Sequence, residues 1–216
     1  DKYIRANKSN DGNITSLKCE NGTHEADLFV DCTGFHSELL GKVMGVHYNS
    51  YADTLINHRA IAAKIPYTDK NKQLTSYTNN VTMNNGWCYE IPLWDGMSVG
   101  YVHSLKFSTP EKIDKEFIDR YGVEPTKGVE FRTGRYEKAW VKNVASVGLS
   151  FGFIEPLEAT GLASIVTNVF RLLESLSTHL SPNSFDREVF NHACATELDN
   201  SKTFIDMHYA TSHKSD

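Results

Sequence analysis

Val147-Gly-Leu-Ser-Phe-Gly-Phe-Ile-Glu-Pro-Leu-Glu-Ala-Thr-Gly-Leu162 is the stretch on which the reading of this chain turns. It opens with apolar residues in the manner of a strand and passes through small ones. Glu155 and Glu158 then stand on either side of Pro156-Leu157. After Thr160-Gly161 a strongly apolar run with helical spacing begins. A strand that feeds a helix through a tight turn leaves the first N–H groups of that helix without intrahelical partners. Those donors, at the positive end of the helix, suit an anion or the polar edge of a cofactor. Two carboxylates beside an anion site are an unusual juxtaposition, since like charges repel, and chemistry is a natural reason for it. The competing reading is a loop whose glutamates are solvated and whose Thr160 only caps the helix. The spacing leaves both open.

Upstream, residues 1–31 read as three strands, at 2–6, 14–19 and 26–31, with turn signals at Asp11-Gly12 and Asn21-Gly22. The third is apolar enough to be buried and runs into Thr33-Gly34, where a backbone without a side chain lets a ligand approach closely. Nucleotide-binding α/β folds place ligands at the carboxyl ends of strands; a glycine of purely steric use is the alternative. A short helix is expected at 36–44, closed by Gly45. Residues 52–107 look β-rich, with strands at Arg59–Ile65, Trp87–Leu93 and Ser98–Ser104. Trp87, Tyr89 and Ile91 share one face at period two, as pocket wall or as sheet core. Thr109-Pro110-Glu111 starts an amphipathic helix that Gly122 ends. Leu162, Ile165, Val166, Val169, Phe170, Leu173 and Leu176 give the helix after the glutamates a broad apolar arc, which predicts deep packing. A last helix is expected from 185 to 208, capped by Pro182-Asn183-Ser184.

Composition narrows the function classes. A net charge of -5 with scattered Lys and Arg argues against nucleic acid as a partner, because no basic stripe is available to neutralise phosphates. No apolar run reaches the ~18 residues of a membrane-spanning helix, so no membrane association is expected. The cysteines at 19, 32, 88 and 194 form no Cys-x-x-Cys pair, and the histidines form no ligand cluster. No metal is expected, and a reduced, cytoplasmic setting is the simplest reading.

A resemblance adds to this. Phe131-Arg-Thr-Gly-Arg135, Trp140, Asn143, Gly148-Leu149, Gly152-Phe153-Ile-Glu-Pro-Leu-Glu158 and Thr160-Gly161 together resemble the flavin-dependent tryptophan halogenase family. Asp31-Cys-Thr-Gly-Phe35 is similar to that family's internal flavin-domain strand and turn. Trp87-Cys-Tyr-Glu-Ile-Pro92 is similar to its Trp-x-Trp-x-Ile-Pro signature, and His208-Tyr209 through Asp216 to the end of its catalytic core. The likeness runs through nearly the whole chain. It implies a mixed α/β (α+β) chain, part of a two-domain FAD-dependent monooxygenase-like fold. Residues 1–50 would belong to the FAD-binding domain and 51–140 to a β-rich substrate-side section. Residues 141–216 would carry the flavin- and halide-contacting loop and the C-terminal helices.

The resemblance further implies an enzyme that uses FAD, as FADH2, with O2 to oxidise chloride or bromide. It then halogenates an electron-rich arene such as tryptophan or an indole, with a flavin reductase as partner. Glu158 matches the glutamate that faces the substrate, and Thr160 and Gly161 match the pair that holds the halide. Leu149 and Leu162 match flavin contacts, with Thr33 and Gly34 in the cofactor-binding turn. Trp87, Tyr89, His208 and Tyr209 fall on the substrate side.

Three departures stand out. The family's glycine-rich loop and its essential lysine belong upstream of Asp1, and no lysine here sits in a matching motif. The second tryptophan of the signature is Tyr89, and the serine after the glutamate is Ala159. From its abrupt start and end the chain is expected to be an internal fragment of a longer enzyme, inactive alone. A related FAD-dependent hydroxylase or reductase, or a non-catalytic diverged binding domain, are the competing readings.

Overall fold

The computed structural model describes residues 1–178 and 182–212 and mixes sheet with helix, as expected. Two compact units divide the chain: one from residues 1–51 with 133–216, the other from 52–132.

The first unit begins with β1 (Tyr3–Lys8) and β2 (Ile14–Cys19), an antiparallel hairpin extended by β3 (Gly22–His24). The sequence gives β3 no alternating apolar pattern, and its residues are largely exposed. The strand expected at 26–31 shortens to β4 (Phe29–Asp31). The helix expected at 36–44 is a 3-10 turn at Gly34–His36 followed by a π-helix at Glu38–Val43. The wider winding follows from Ser37, in left-handed backbone at φ 42°, whose Oγ accepts from Gly41 N. Gly45 follows the π-helix at φ 69°, in the left-handed conformation glycine adopts without strain. A short β5 (Tyr48–Ser50) completes this segment.

The second unit is a five-stranded antiparallel sheet. It comprises β6 (Arg59–Ile65), β7 (Asn79–Met83), β8 (Gly86–Leu93), β9 (Gly96–His103) and β10 (Lys127–Glu130), in the order β10-β6-β9-β8-β7. The four-residue α1 (Lys70–Gln73) bridges β6 and β7, and α2 (Pro110–Tyr121) packs one face of the sheet. Ile113 and Phe117 of α2 are buried with Ala63, Met83, Cys88, Val99 and Tyr101. Thr109 occupies the cap position without a capping hydrogen bond. Its hydroxyl serves Glu111 instead and draws that carboxyl below its ordinary value.

The first unit resumes with β11 (Gly134–Tyr136), β12 (Trp140–Val141), β13 (Val144–Ser146) and β14 (Gly152–Phe153), then α3 (Thr160–Thr178) and α4 (Ser184–Ala210). β11 pairs with β14 and β5, while β13 pairs antiparallel with β12 and parallel with β4. The Asn143 side chain acts as a further strand rung. It accepts from Ile14 N and donates to Ile14 O, each at 2.8 Å. Asn183 caps α4 in a reciprocal box with Asp186.

The deep packing expected of α3 does not hold in this chain. Leu162, Val166, Val169, Phe170 and Leu173 are exposed. The stripe turned inward is Ser164, Asn168 and Leu172, three residues at helical spacing, and it is partly polar. Asn168 Oδ1 accepts there from Cys194 Sγ of α4 at 3.1 Å and from Arg171 at 3.0 Å. Among the described residues, no helix is long and apolar enough to cross a membrane.

Candidate functional site

β4 and β13 lie side by side and parallel, with Phe29 opposite Val144 and Asp31 opposite Ser146. Their carboxyl ends therefore emerge together, and the loops that follow them, Cys32–Gly34 and Val147–Phe153, start from one edge of the sheet. This is the edge at which α/β sheets bind ligands.

Asp31 is fully buried and organises the first loop. One carboxyl oxygen accepts from Thr33 N at 3.0 Å and Thr33 Oγ1 at 2.6 Å. The other accepts from Leu39 N and Leu40 N, each at 2.8 Å. Thr33 also accepts from Glu38 N, so its side chain serves its own turn.

The second loop is tied to the first through Ser150. Its hydroxyl donates to Asp31 O at 2.5 Å and its carbonyl accepts from Ser37 Oγ at 2.7 Å. Phe35 and Phe153 add an edge-to-face contact at 5.2 Å between ring centroids. The sequence carries a local signal for the Asp31 turn, an Asx residue two places before a threonine. It carries none for Ser37 and Ser150, 113 residues apart.

The turn before α3 separates the two glutamates. Glu155 is fully buried and accepts a hydrogen bond from Tyr209 Oη, whereas Glu158 is exposed. Ile154 and Leu157 are buried beside Glu155 and fix the loop to the core. Glu158 and Ala159 both adopt left-handed backbone, at φ 57° and 53°. Neither is glycine, so the pair stores strain on the order of 2–4 kcal/mol. Thr160 Oγ1 donates back to Leu157 O at 3.1 Å. Any anion at this helix start would therefore meet backbone N–H groups before that hydroxyl.

Two observations fit the flavin and halide that the resemblance implies. At Gly34 and at Gly161 an added Cβ would meet nothing within 4 Å, so both stretches of backbone are open to close approach. Leu149 and Leu162 present exposed apolar surface, and Gly148 packs closely against Ile165 in the second turn of α3. The chain thus brings Thr33, Gly34, Leu149, Glu158, Thr160, Gly161 and Leu162 into one unit, on connected segments.

His208 and Tyr209 sit in the last turn of α4 in the same unit. His208 Nδ1 lies 2.8 Å from Phe204 O, and the Tyr209 hydroxyl is engaged with Glu155. Ser215 and Asp216, part of the terminal motif, lie outside the described residues.

In the other unit, Cys88 and Glu90 face α2, with Glu90 accepting from Arg120 at 3.0 Å and Tyr121 at 3.1 Å. Trp87 and Tyr89 therefore occupy the opposite sheet face, in edge contact at 6.4 Å between centroids. The Tyr89 ring lies against Gly100 of β9, where a side chain would collide with it.

The chain as a whole is similar to known proteins. Tryptophan 7-halogenase KtzQ of Kutzneria sp. (strain 744) is 35% identical over 222 residues, an alignment that takes in 100% of this chain and 41% of that protein. The crystal structure of a tryptophan 6-halogenase (SttH) from Streptomyces toxytricini superposes with a TM-score of 0.94 at 31% identity, over 100% of this chain and 43% of that one. BrvH, a flavin-dependent halogenase from Brevundimonas sp. BAL3, gives a TM-score of 0.88 at 28% identity over 100% of this chain and 44% of its own. The chain thus spans about two fifths of the length of the relatives it matches. The family model for tryptophan halogenases matches residues 1–216, and the chain belongs to that family.

Proposed function

We propose that this chain is the part of an FADH2-dependent halogenase that holds one side of the flavin, the halide and the glutamate facing the arene. The observation that carries the reading is the pairing of β4 with β13. It brings the Asp31–Gly34 turn, the Val147–Phe153 loop and the start of α3 into one connected edge. Bound FADH2 with O2 supplies the oxidising power that turns chloride or bromide into an electrophilic halogen.

The chain's own residues then have distinct tasks. The open backbone at Gly34 lets the cofactor approach the strand end, and Leu149 and Leu162 offer it apolar contact. The start of α3, at Thr160-Gly161, provides N–H donors and a positive field for the halide. Glu158, held by a strained turn, opposes the positive charge that develops on the arene and accepts the proton the ring releases. Trp87, Tyr89 and His208 are assigned to the substrate side on the resemblance, whereas the Tyr209 hydroxyl is engaged with Glu155. A flavin reductase supplies FADH2, and the four unbridged cysteines suit a reducing cytoplasm.

The test is Glu158→Gln in the full-length protein, assayed with a flavin reductase, bromide or chloride and an indole, with products followed by mass spectrometry. Glutamine keeps the shape and removes the charge. Product formation is expected to fall by about 100-fold or more, with FAD affinity within about twofold of wild type. Near-normal halogenation by the variant would make Glu158 a structural loop residue.

A further inference from the structure

The strained pair Glu158-Ala159 is exposed, so something outside the turn must keep it from relaxing. α4 is the element placed to do this. Asn191 on α4 accepts from Ala139 N and Trp140 N at 2.8 and 2.6 Å and donates to Trp140 O, which fixes the helix to β12. One turn further on, Cys194 reaches Asn168 of α3. Asp199 then receives Arg135 Nε and Nη2 at 2.9 and 2.8 Å and the Tyr51 hydroxyl at 2.5 Å. Leu198 and Ile205 are buried along the same side. The helix is thus anchored at successive turns, and its last turn delivers the Tyr209 hydroxyl to the buried carboxyl of Glu155. Glu155 lies three residues before Glu158, between buried Ile154 and Leu157.

We propose that Tyr209 is a positioning residue: through Glu155 it holds the Glu155–Gly161 turn in its strained form. It thereby aims both the Glu158 carboxyl and the first N–H groups of α3. This rests on the halogenase reading for what the turn does, but not for the contact itself. The role differs from a contact with substrate, because the hydroxyl is committed to a buried carboxyl on a neighbouring loop. Loss of that hydroxyl lets Glu158 and Ala159 relax toward ordinary backbone angles, and the halide donors and the carboxylate move together. Substrate affinity, by contrast, has no reason to change when only the hydroxyl is removed.

The experiment uses Tyr209→Phe, Glu155→Leu and the double variant in the full-length protein. For Tyr209→Phe, kcat is expected to fall about tenfold, the factor carried by one hydrogen bond of ordinary net strength. The KM for halide should rise severalfold, with the KM for the arene and the affinity for FAD within about twofold of wild type. The double variant is expected to be no worse than Glu155→Leu alone, since both changes break one contact. A raised arene KM with kcat and halide KM unchanged, or losses that multiply in the double variant, would overturn the proposal in favour of direct substrate contact.

Amide hydrogen exchange, measured without flavin or halide, separates this from failure of the halogenase reading. Tyr209→Phe should speed exchange across residues 155–161 and leave β8 and β9 unchanged. Unaltered exchange at 155–161 refutes the latch even in a protein that halogenates. Faster exchange there upholds it even if no halogenated product forms.

Discussion

Asp31→Asn is the sharpest probe of how the site is assembled. Both carboxyl oxygens of this fully buried residue accept two hydrogen bonds each, from Thr33 N and Oγ1 on one side and from Leu39 N and Leu40 N on the other. An asparagine offers one oxygen and one NH2 group, so either orientation sets two donors against another donor. If the amide faces Leu39 and Leu40, two backbone N–H groups lose their acceptor, at about 1–3 kcal/mol each. If it faces Thr33, the hydroxyl can rotate and only one backbone N–H is stranded, so this orientation wins. The expected loss is about 1–3 kcal/mol, that of one stranded buried N–H. Urea unfolding followed by far-UV circular dichroism measures it, with the slope of the transition unchanged. Because the same turn carries Gly34, FAD retention by the full-length protein should fall in parallel. A stability loss under about 0.5 kcal/mol would mean that the acceptor pairs do not hold the turn.

Other outcomes follow from the same geometry. Gly100→Ala should destabilise the second unit by about 1–3 kcal/mol, since the new methyl group meets the Tyr89 ring. In a Tyr89→Ala background the same change should be neutral or stabilising, and equal losses in both backgrounds would disprove the contact. Arg135, by its hydrogen bonds, holds the Asp199 carboxyl below its ordinary value. That stabilisation is present above the ordinary carboxylate range and is lost as pH falls through the lowered value. Asp199→Asn should therefore flatten the acid limb of a melting-temperature profile, and an unchanged limb would show the pair to be inert. Family members that act on free tryptophan resemble one another in a glutamate near the end of the core, and Ser215, which has no charge to pair with an ammonium group, stands at that point of this sequence. Competition between indole and free tryptophan should therefore favour indole, and clear preference for tryptophan would refute this.

Local pattern carried much of the fold into the sequence. The hairpin at Asp11-Gly12, the strands around Asp95-Gly96 and the helix from Pro110 to Gly122 stand where turn residues and periodicity put them. Long-range pairing was not legible. Nothing in Phe29–Asp31 announces a parallel partner at Val144–Ser146, because an apolar run of three residues fits many neighbours. The apolar arc of α3 read as core, yet its inward stripe is Ser164, Asn168 and Leu172, since which face a helix buries depends on what packs against it. At the candidate site, the glutamate motif was visible as a string of residues, but the opposite fates of Glu155 and Glu158 were not. They are set by Tyr209, 54 positions from Glu155, and by backbone angles that propensity disfavours.

The division of the first unit bears on how the polypeptide acquires its form during synthesis. Residues 52–132 are contiguous and leave the ribosome as one uninterrupted stretch, whereas β4 must wait for a partner made much later. The bond from Ser150 to Asp31 closes over 119 residues, so the edge of β4 that β13 covers stays open until the whole intervening unit has been translated. Pairing across such a separation is slow, and an exposed strand edge is a template for the wrong neighbour in the meantime. Conditions that slow elongation through residues 52–146, or that lower the temperature of expression, act on that waiting time, and so on the yield of soluble protein, without altering a single contact of the finished structure.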